Sequence, residues 1–354
     1  MQTLDLPPIR KKVFYIDQFA LSDMLKAIRA KAGKGTKRAE DSFWLKLFEL
    51  IDHLCGLQTM VCPHSQSHFG ESIVSSFPDD LRRLYDRFST GVSFHDPQYV
   101  RLFQFRQHVA SCPTGFWESN VSFEASDIAD GAIHGWCDVM IASMKMSNTS
   151  SVEQELHDLH RKHKRMLDAF NREWANDKRA SEFWPVYDQE ISSYSQALVS
   201  CLETERGTTS IREMIWICLD ELEQAGIRGS SARERLREYL SADRLRSLPF
   251  LHIASLLWAS VARKVYCGQR ELKASLVNDI DTVSTLLPYC DGMLVDNECR
   301  AHLSENPVCE GVSRFNCRIF SCNVREELLA YLESIEHAIP REVRERVSEV
   351  YGHA

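Results

Sequence analysis

The sequence comprises 354 residues with a formal net charge of −8, of which 44% are hydrophobic and 26% charged. This composition is typical of a soluble globular protein, and the acidic balance argues against a protein that coats nucleic acid without specificity. No run of about 18 apolar residues could span a bilayer, and the opening MQTLDLPPIRKKVF lacks the apolar stretch of a signal peptide. We therefore expect a cytoplasmic protein with no membrane partner. The twelve cysteines contain no CxxC pair, which predicts reduced, mostly buried thiols.

The first part of the chain, residues 10–90, alternates between strand and helix patterns. The apolar run at 12–17 predicts a strand and is followed by a helical pattern at 20–32. The amphipathic stretch FWLKLFELIDHL predicts a second helix. The short apolar run QTMVCP at 58–63 predicts another strand, and SQSHFGESI after it predicts the start of a further helix.

The middle of the chain, residues 95–248, has a different pattern. Charged segments with helical periodicity dominate at 152–174, 211–226 and 232–248, and strand signals are few. This pattern predicts a large all-helical insertion.

The alternation of strands and helices returns after Pro249. Helices are predicted at 251–267, 278–290 and 324–336, and strands within 291–297 and 317–323. Strands that alternate with helices indicate an α/β fold with a parallel sheet covered on both faces. We therefore predict one discontinuous domain, 10–90 with 250–340, interrupted by a helical domain at 95–248.

Acidic residues follow the predicted strands. Asp17 ends the first strand and Asp296 ends the strand in 291–297, while Asp279 and Asp281 lie at the start of the preceding helix and Glu71 follows the strand at 58–63. Ligands bind at the carboxyl ends of parallel strands, so neighbouring strands would bring these carboxylates together. Like charges that lie so close repel, and a hard divalent cation such as Mg²⁺ or Mn²⁺ resolves the conflict. Such a site suits metal-assisted hydrolysis of phosphodiester bonds.

Each acidic residue also has a simpler interpretation. Asp17 is a suitable helix cap, and one of Asp279 and Asp281 would interact favourably with a helix N-terminus. Glu71 alone would be a solvated side chain, and Asp296 with the following Asn would form a turn. Only their combination favours a cation site.

Four segments of the sequence resemble PIN-like nuclease domains. VFYIDQFALSDML resembles the opening strand, acid and helix of these domains, and NDIDTVSTLLPYCDGMLVDNE is similar to their C-terminal acidic block. VCPHSQSHFGES resembles the turn that precedes the helical acid. IFSCNVREELLAYLESI is similar to the last strand and helix of the larger PIN-like proteins of bacterial toxin or defence type. The resemblance covers about half of the chain, residues 10–85 and 250–336.

The resemblance implies a three-layer PIN-like fold with a parallel central sheet and a metal-dependent endonuclease, most often acting on RNA. It implies a role as a toxin or antiphage defence effector. The metal ligands that it implies are Asp17, Glu71, Asp281 or Asp279, and Asp296. Many relatives have Thr-x-Asp after the last of these strands, where this chain has Asp296-Asn297-Glu298. Glu298 is therefore an alternative to Asp296. The predicted catalytic residues are Asp17, Glu71, Asp281 and Asp296.

Residues 26–38 carry six basic and no acidic side chains. An acidic protein that binds a polyanion needs a local basic patch of this kind, although a solvated loop would have the same composition. The predicted nucleic-acid-binding residues are Ser22, Lys26, Arg29, Lys31, Lys34, Lys37 and Arg38. The alternative function is a catalytically silent or partner-regulated PIN-like interaction module, with the helical insertion binding a protein partner.

Overall fold

The computed structural model of the protein describes residues 8–66, 68, 77–110, 121–136, 150–269, 272–273 and 275–352. The strands, in chain order, are β1 Lys12–Ile16, β2 Met60–Val61, β3 Ser93–Phe94, β4 Ala129–Asp130, β5 Gly292–Leu294 and β6 Arg318–Phe320. The helices up to the middle of the chain are α1 Gln18–Lys31, α2 Asp41–Gly56, α3 Pro78–Ser89, α4 Pro97–Ala110, α5 Ser150–Trp174, α6 Phe183–Thr204, α7 Thr209–Gln224, α8 Gly229–Tyr239 and α9 Ala242–Leu245. They are followed by α10 Pro249–Tyr266, α11 Leu276–Leu286, α12 Asn297–Ser304, α13 Val308–Val312, α14 Arg325–His337 and α15 Arg341–Tyr351.

The central sheet is built from both ends of the chain. Its four strands are all parallel and lie in the order β2-β1-β5-β6. Phe14 pairs with Gly292, and Gly292 in turn pairs with Arg318. The predicted α/β class and parallel sheet are therefore confirmed. The antiparallel pair of β3 and β4 was not predicted.

Alternation along β1 assigns its side chains to two separate cores. Val13 and Tyr15 face one side of the sheet, and Phe14 and Ile16 face the other, as expected from the two-residue period of a strand. The Phe14 ring packs over Gly292, where an added Cβ would lie 2.7 Å from its Cε2 atom. A glycine is therefore required at this point of β5.

One core lies between the sheet and helices from the two ends of the chain. Phe14 and Ile16 pack there against buried residues of α1, α2, α3 and α14, among them Trp44, Leu47 and Leu332. The amphipathic sequence of α2 explains its place, because its apolar stripe is buried against this core.

The other core extends from the sheet into the helical middle of the chain. Val13 and Tyr15 belong to the same buried cluster as residues of α6, α7 and α8, and α10 contributes many of its central side chains. Helix α10 packs along α6 and α11 and is largely apolar around its circumference, as expected for a buried helix. The helices of the middle region therefore share one apolar core with a face of the sheet.

Several details differ from the sequence expectations. The helix predicted at 232–248 consists of two helices, α8 and α9, and the chain also forms α6, which was not among the predicted elements. Within the described ranges, no helix is both long and apolar enough to cross a bilayer. The ten described cysteines are all free of disulfide bonds, and most of them are buried, as predicted.

Candidate functional site

Asp17 lies where β1 passes into α1, beside the end of β5. Its backbone N–H donates a hydrogen bond to the carbonyl of Leu294, 2.9 Å away, so the pairing of the two strands extends to this residue. Asp17 occupies the N-cap position of α1, yet within the described chain its side chain forms no capping hydrogen bond. The helix-cap interpretation therefore accounts for its position and for part of the surroundings of its carboxylate, which the backbone N–H groups of Phe19 and Gln18 face.

Asp296 follows β5 by two residues and is the N-cap of α12. Its carboxylate accepts a hydrogen bond of 2.7 Å from the backbone N–H of Cys299. This bond fixes the side chain at the carboxyl end of the sheet, beside Asp17. The two strand-end acids are therefore neighbours, and Asp296 is the better anchored of the two.

The electrostatic conflict predicted for these acids is visible at Asp17. Burial, and after it the negative charge of Asp296, raise the pKa of the Asp17 carboxyl from 3.8 to about 7. The backbone N–H groups of Phe19, Gln18 and Asp296 act in the opposite direction but are weaker. Without a further cation, Asp17 is therefore only partly ionised at neutral pH.

Two further carboxylates, those of Asp279 and Glu298, lie near Asp17 and Asp296. Burial raises the pKa of the Cys299 thiol, and the charges of Asp279, Asp296, Asp17 and Glu298 raise it further. These residues come from the end of β1, the first turn of α11 and the start of α12. We call Asp17, Asp279, Asp296 and Glu298 the acidic group.

Lys273 neutralises part of the acidic group. Its Nζ atom lies 2.9 Å from Oδ2 of Asp296 and 3.0 Å from Oε2 of Glu298. Burial lowers the pKa of Lys273, but its hydrogen bonds and charge interactions with Asp296 and Glu298 outweigh that effect, so the net pKa is raised. The amide of Gln269 donates a 2.9 Å hydrogen bond to the other oxygen of Glu298. One ammonium therefore bridges two of the four carboxylates.

The structure separates the two acids of α11 that the sequence left as alternatives. Asp279 is in the acidic group, whereas Asp281 forms an ion pair with Arg101 of α4. An α-helix turns by about 100° per residue, so side chains two positions apart point to nearly opposite sides. Asp281 was predicted as a catalytic residue, but the structure does not bring it to the other acids.

Glu71, the predicted helical acid, lies outside the described residues. Within the described ranges, no three His, Cys, Asp or Glu side chains are already arranged to hold a metal ion. The acidic group is therefore a set of neighbouring carboxylates, some of whose oxygens already accept hydrogen bonds from Lys273 and from backbone N–H groups.

The predicted basic segment does not lie beside the acidic group. Helix α1 has 14 residues and is therefore roughly 20 Å long, with Asp17 at its start and the basic loop after its end. Ser22 is partly buried in the second turn of this helix. Arg29 and Lys31 lie in the last turn of α1, far from Asp17, whereas Arg38 returns to the second turn of the helix, where it pairs with Asp23.

Four of the six basic side chains of this segment are engaged in ion pairs. Arg38 pairs with Asp23 at 2.8 Å and with Asp41 at 2.9 Å. The other three pairs are Lys26 with Asp23, Arg29 with Asp80, and Lys31 with Glu49. Lys34 and Lys37 form no ion pair with any residue in the described ranges. Much of the positive charge therefore stabilises the packing of α1 against α2 and α3.

Sequence reasoning missed Lys273 and Gln269. Both lie in the segment between α10 and α11, which has no periodic pattern, and a single lysine in such a segment carries no recognisable signal. Glu298 was considered only as an alternative to Asp296, although both belong to the group. Comparison of the chain with protein-family models, with curated proteins and with solved structures gave no match.

Proposed function

We propose that the protein is a metal-dependent endonuclease that hydrolyses phosphodiester bonds, with RNA preferred over DNA. The observation that carries the proposal is the raised pKa of Asp17, about 7, beside Asp296 at the ends of two neighbouring parallel strands. A partly buried carboxylate held against a second one costs stability in the absence of a cation. Acids with perturbed pKa values of this kind cluster at functional sites.

The proposal includes a PIN-like fold. It is supported by the parallel sheet assembled from both ends of the chain, with Asp17 and Asp296 at the ends of adjacent strands. The resemblance of the sequence to toxin-type and defence-type PIN-like proteins suggests cellular or phage nucleic acid as the substrate.

The donor chemistry of the acidic group fits Mg²⁺ or Mn²⁺. All four side chains offer carboxylate oxygens, the ligands that hard divalent cations prefer. Lys273 serves as a stand-in cation, because its ammonium lies between Asp296 and Glu298. Four carboxylates against one lysine leave an excess of negative charge when all are ionised. Such ions activate water and stabilise the leaving oxygen in phosphodiester hydrolysis.

The protein's own residues would have distinct tasks in this site. Asp17, Asp279, Asp296 and Glu298 would hold the cation, with Glu71 retained from the sequence prediction as a further candidate, whereas Asp281 is paired with Arg101. Asp296 is already oriented by the N–H of Cys299, so its ordering requires little further entropy. Lys273, once displaced from the carboxylates, would contact a phosphate oxygen of the substrate, because an ammonium favours that partner.

An interaction module remains the second candidate, and one observation favours it. Trp216 on α7 is 68% exposed and Trp184 on α6 is 52% exposed. Tryptophan is enriched in the centres of protein interfaces and is rarely left in water. The helical region would thus bind a protein partner, which is compatible with a nuclease that its partner regulates.

A cleavage assay with matched variants tests the nuclease proposal. Full-length protein is incubated with single-stranded RNA and with single-stranded DNA, in Mn²⁺ or in EDTA. We expect RNA cleavage in Mn²⁺ alone and a loss of about 100-fold or more in rate for Asp17→Asn and Asp296→Asn. Asp291→Asn is the control, because Asp291 directly precedes β5 at the opposite end of the sheet.

The proposal fails if the wild-type protein cuts neither substrate in Mn²⁺. It also fails if Asp17→Asn cleaves as fast as the wild type. Circular dichroism of each variant establishes that the change in rate does not come from unfolding.

A further inference from the structure

A cavity of about 470 Å³ lies among the helices of the middle region. Helices α4, α6, α7, α10 and α11 each contribute residues to its lining. The residues of α11 that line it are Val277, Ile280, Asp281 and Ser284, which lie three or four positions apart and share one face of the helix. Asp279 of the acidic group points away from that face. The cavity and the acidic group are therefore on opposite sides of α11.

Part of the lining is apolar and accessible from solvent. Ile211 of α7, Ala254 and Trp258 of α10, and Val277 of α11 border the cavity, and each of them is only partly buried. The exposed Ala197 of α6 lies at its mouth. A concave, mostly apolar surface that includes an aromatic side chain is typical of small-molecule sites, and the volume of the cavity is within their range.

One carboxyl group of the lining has no partner. Glu190 of α6 is partly exposed in the cavity wall and forms no hydrogen bond or ion pair with any described residue. The other charged residues among the described lining, Arg101 and Asp281, pair with each other. Glu190 therefore supplies the unbalanced charge of the cavity. A carboxylate that is partly withdrawn from water without a counter-charge is costly, and a bound cation would offset that cost.

The surroundings of Glu190 favour a cation. Burial, and after it the negative charge of Glu173 on α5, raise the pKa of the Glu190 carboxyl from 4.5 to about 7. Arg179 acts on Glu173, but its guanidinium already donates hydrogen bonds to the carboxylate of Asp177. The ring of Trp258 in the same lining is a further attraction for an ammonium group.

We propose that this cavity binds a small organic amine, with its ammonium on Glu190 and its apolar body against Trp258 and Val277. An ammonium donates charge-assisted hydrogen bonds to a carboxylate, and the partly exposed apolar side chains of the lining would be removed from water by the body of the ligand. An anionic ligand is disfavoured, because the guanidinium of Arg101 is already paired with Asp281. This site is independent of the proposed nuclease chemistry.

Calorimetric titration of the full-length protein tests the proposal. The ligands are tryptamine, tryptophol and indole-3-propionate, which share an indole body and carry an ammonium, a hydroxyl and a carboxylate group. We expect tryptamine to bind with a Kd of about 0.1 mM, as is reasonable for a ligand of this size. Tryptophol and indole-3-propionate should each bind at least about tenfold more weakly, because neither can neutralise Glu190.

Matched variants locate the binding. Glu190→Gln should weaken tryptamine at least about tenfold and leave tryptophol nearly unchanged. Glu182→Gln removes the same charge at the exposed N-cap of α6, outside the cavity lining, and is the control. Ala254→Leu fills part of the cavity and should weaken all three ligands. Asp17→Asn should bind tryptamine as the wild type does, so a failure of the nuclease proposal would leave this result unchanged.

Three results would overturn the proposal. They are the absence of tryptamine binding at millimolar concentration, binding of tryptophol as tight as that of tryptamine, and unchanged tryptamine affinity in Glu190→Gln. Thermal unfolding of each variant in the absence of ligand separates loss of the site from loss of the fold.

Discussion

The two ends of the central sheet carry unbalanced charge of opposite sign. At the carboxyl end, acids gather around Cys299, and the Asp17 carboxyl is held partly protonated. At the amino end, basic residues gather around an aromatic pocket, and the Arg314 guanidinium has no carboxylate partner in the described part of the chain. The strands connect these ends by only five residues in β1 and three in β5.

This contrast shows that the local excess of charge differs between the two ends of the sheet and does not follow from the overall composition. A net charge of −8 would lead one to expect surplus acid everywhere, yet the amino end has a surplus of basic side chains. Ion pairs elsewhere, such as Arg38 with Asp41, are balanced and hold helices together. Charge that ion pairs leave unbalanced therefore lies at the two ends of the strands.

The largest expected effect is on the pH dependence of stability at the carboxyl end. Because the pKa of Asp17 is about 7 in the folded protein and 3.8 in the reference state, ionisation opposes folding, and stability is lost as the pH rises between these values. Asp17→Asn should therefore stabilise the protein by up to about 4 kcal/mol at pH 8 and by clearly less at pH 5. Urea unfolding in EDTA at both pH values measures this.

The opposite end of the sheet supplies the contrasting variant. Asp291 accepts hydrogen bonds from the Lys12 ammonium at 2.6 Å and from the backbone N–H of Val13 at 2.9 Å. Asp291→Asn should destabilise the protein by about 1 kcal/mol at pH 8. If both variants changed stability in the same direction, the contrast between the two ends would be wrong.

The next effect distinguishes the two acids of α11. If the acidic group is the catalytic site, Asp279→Asn should lower the cleavage rate by about 100-fold, or about 3 kcal/mol in the barrier. Asp281→Asn should leave the rate within a few-fold of the wild type, because its partner is Arg101. Single-turnover cleavage of RNA in Mn²⁺ measures both, and a reversed order would restore Asp281 to the site.

The smallest effect expected at the acidic group concerns Lys273. Lys273→Met removes the ammonium that bridges Asp296 and Glu298, so both carboxylates become available to a cation. Mn²⁺ should bind about tenfold more tightly, which corresponds to about 1.4 kcal/mol. Its matched control is Lys264→Met, since Lys264 pairs with Glu305 and not with the acidic group. Equal Mn²⁺ affinity in wild type and Lys273→Met would show that the lysine does not compete with metal.

Much of the sheet could be predicted because its strands are short apolar runs with polar boundaries. KVFYI and GMLV each end at an aspartate, and the alternation of strand and helix indicated parallel pairing. The strands β3 and β4 have two residues each, and their pairing depends on tertiary contacts that leave no periodic pattern. The helical stretch predicted at 232–248 breaks between α8 and α9, at residues 240–241. This break was not predicted, because periodicity does not report an interruption within a helical stretch.

The candidate site was predictable only where it depends on topology. The meeting of Asp17 and Asp296 followed from strand ends on one edge of a sheet, and the structure agrees. Side chains two positions apart on a helix point to nearly opposite sides, and the sequence did not indicate which of Asp279 and Asp281 faces the sheet. The sequence could not show how the basic segment folds, because Arg29 and Lys31 lie in the last turn of α1 while Arg38 returns to pair with Asp23.

The division of β1 side chains between two cores has a consequence for engineering. Val13 and Tyr15 share their buried cluster with helices of the middle region, so that region also serves as the cover of one sheet face. Excising it as a cassette would leave large apolar side chains in water and favour aggregation. A fragment reduced to the sheet and the acidic group would therefore need a redesigned surface on that face before it could be handled on its own.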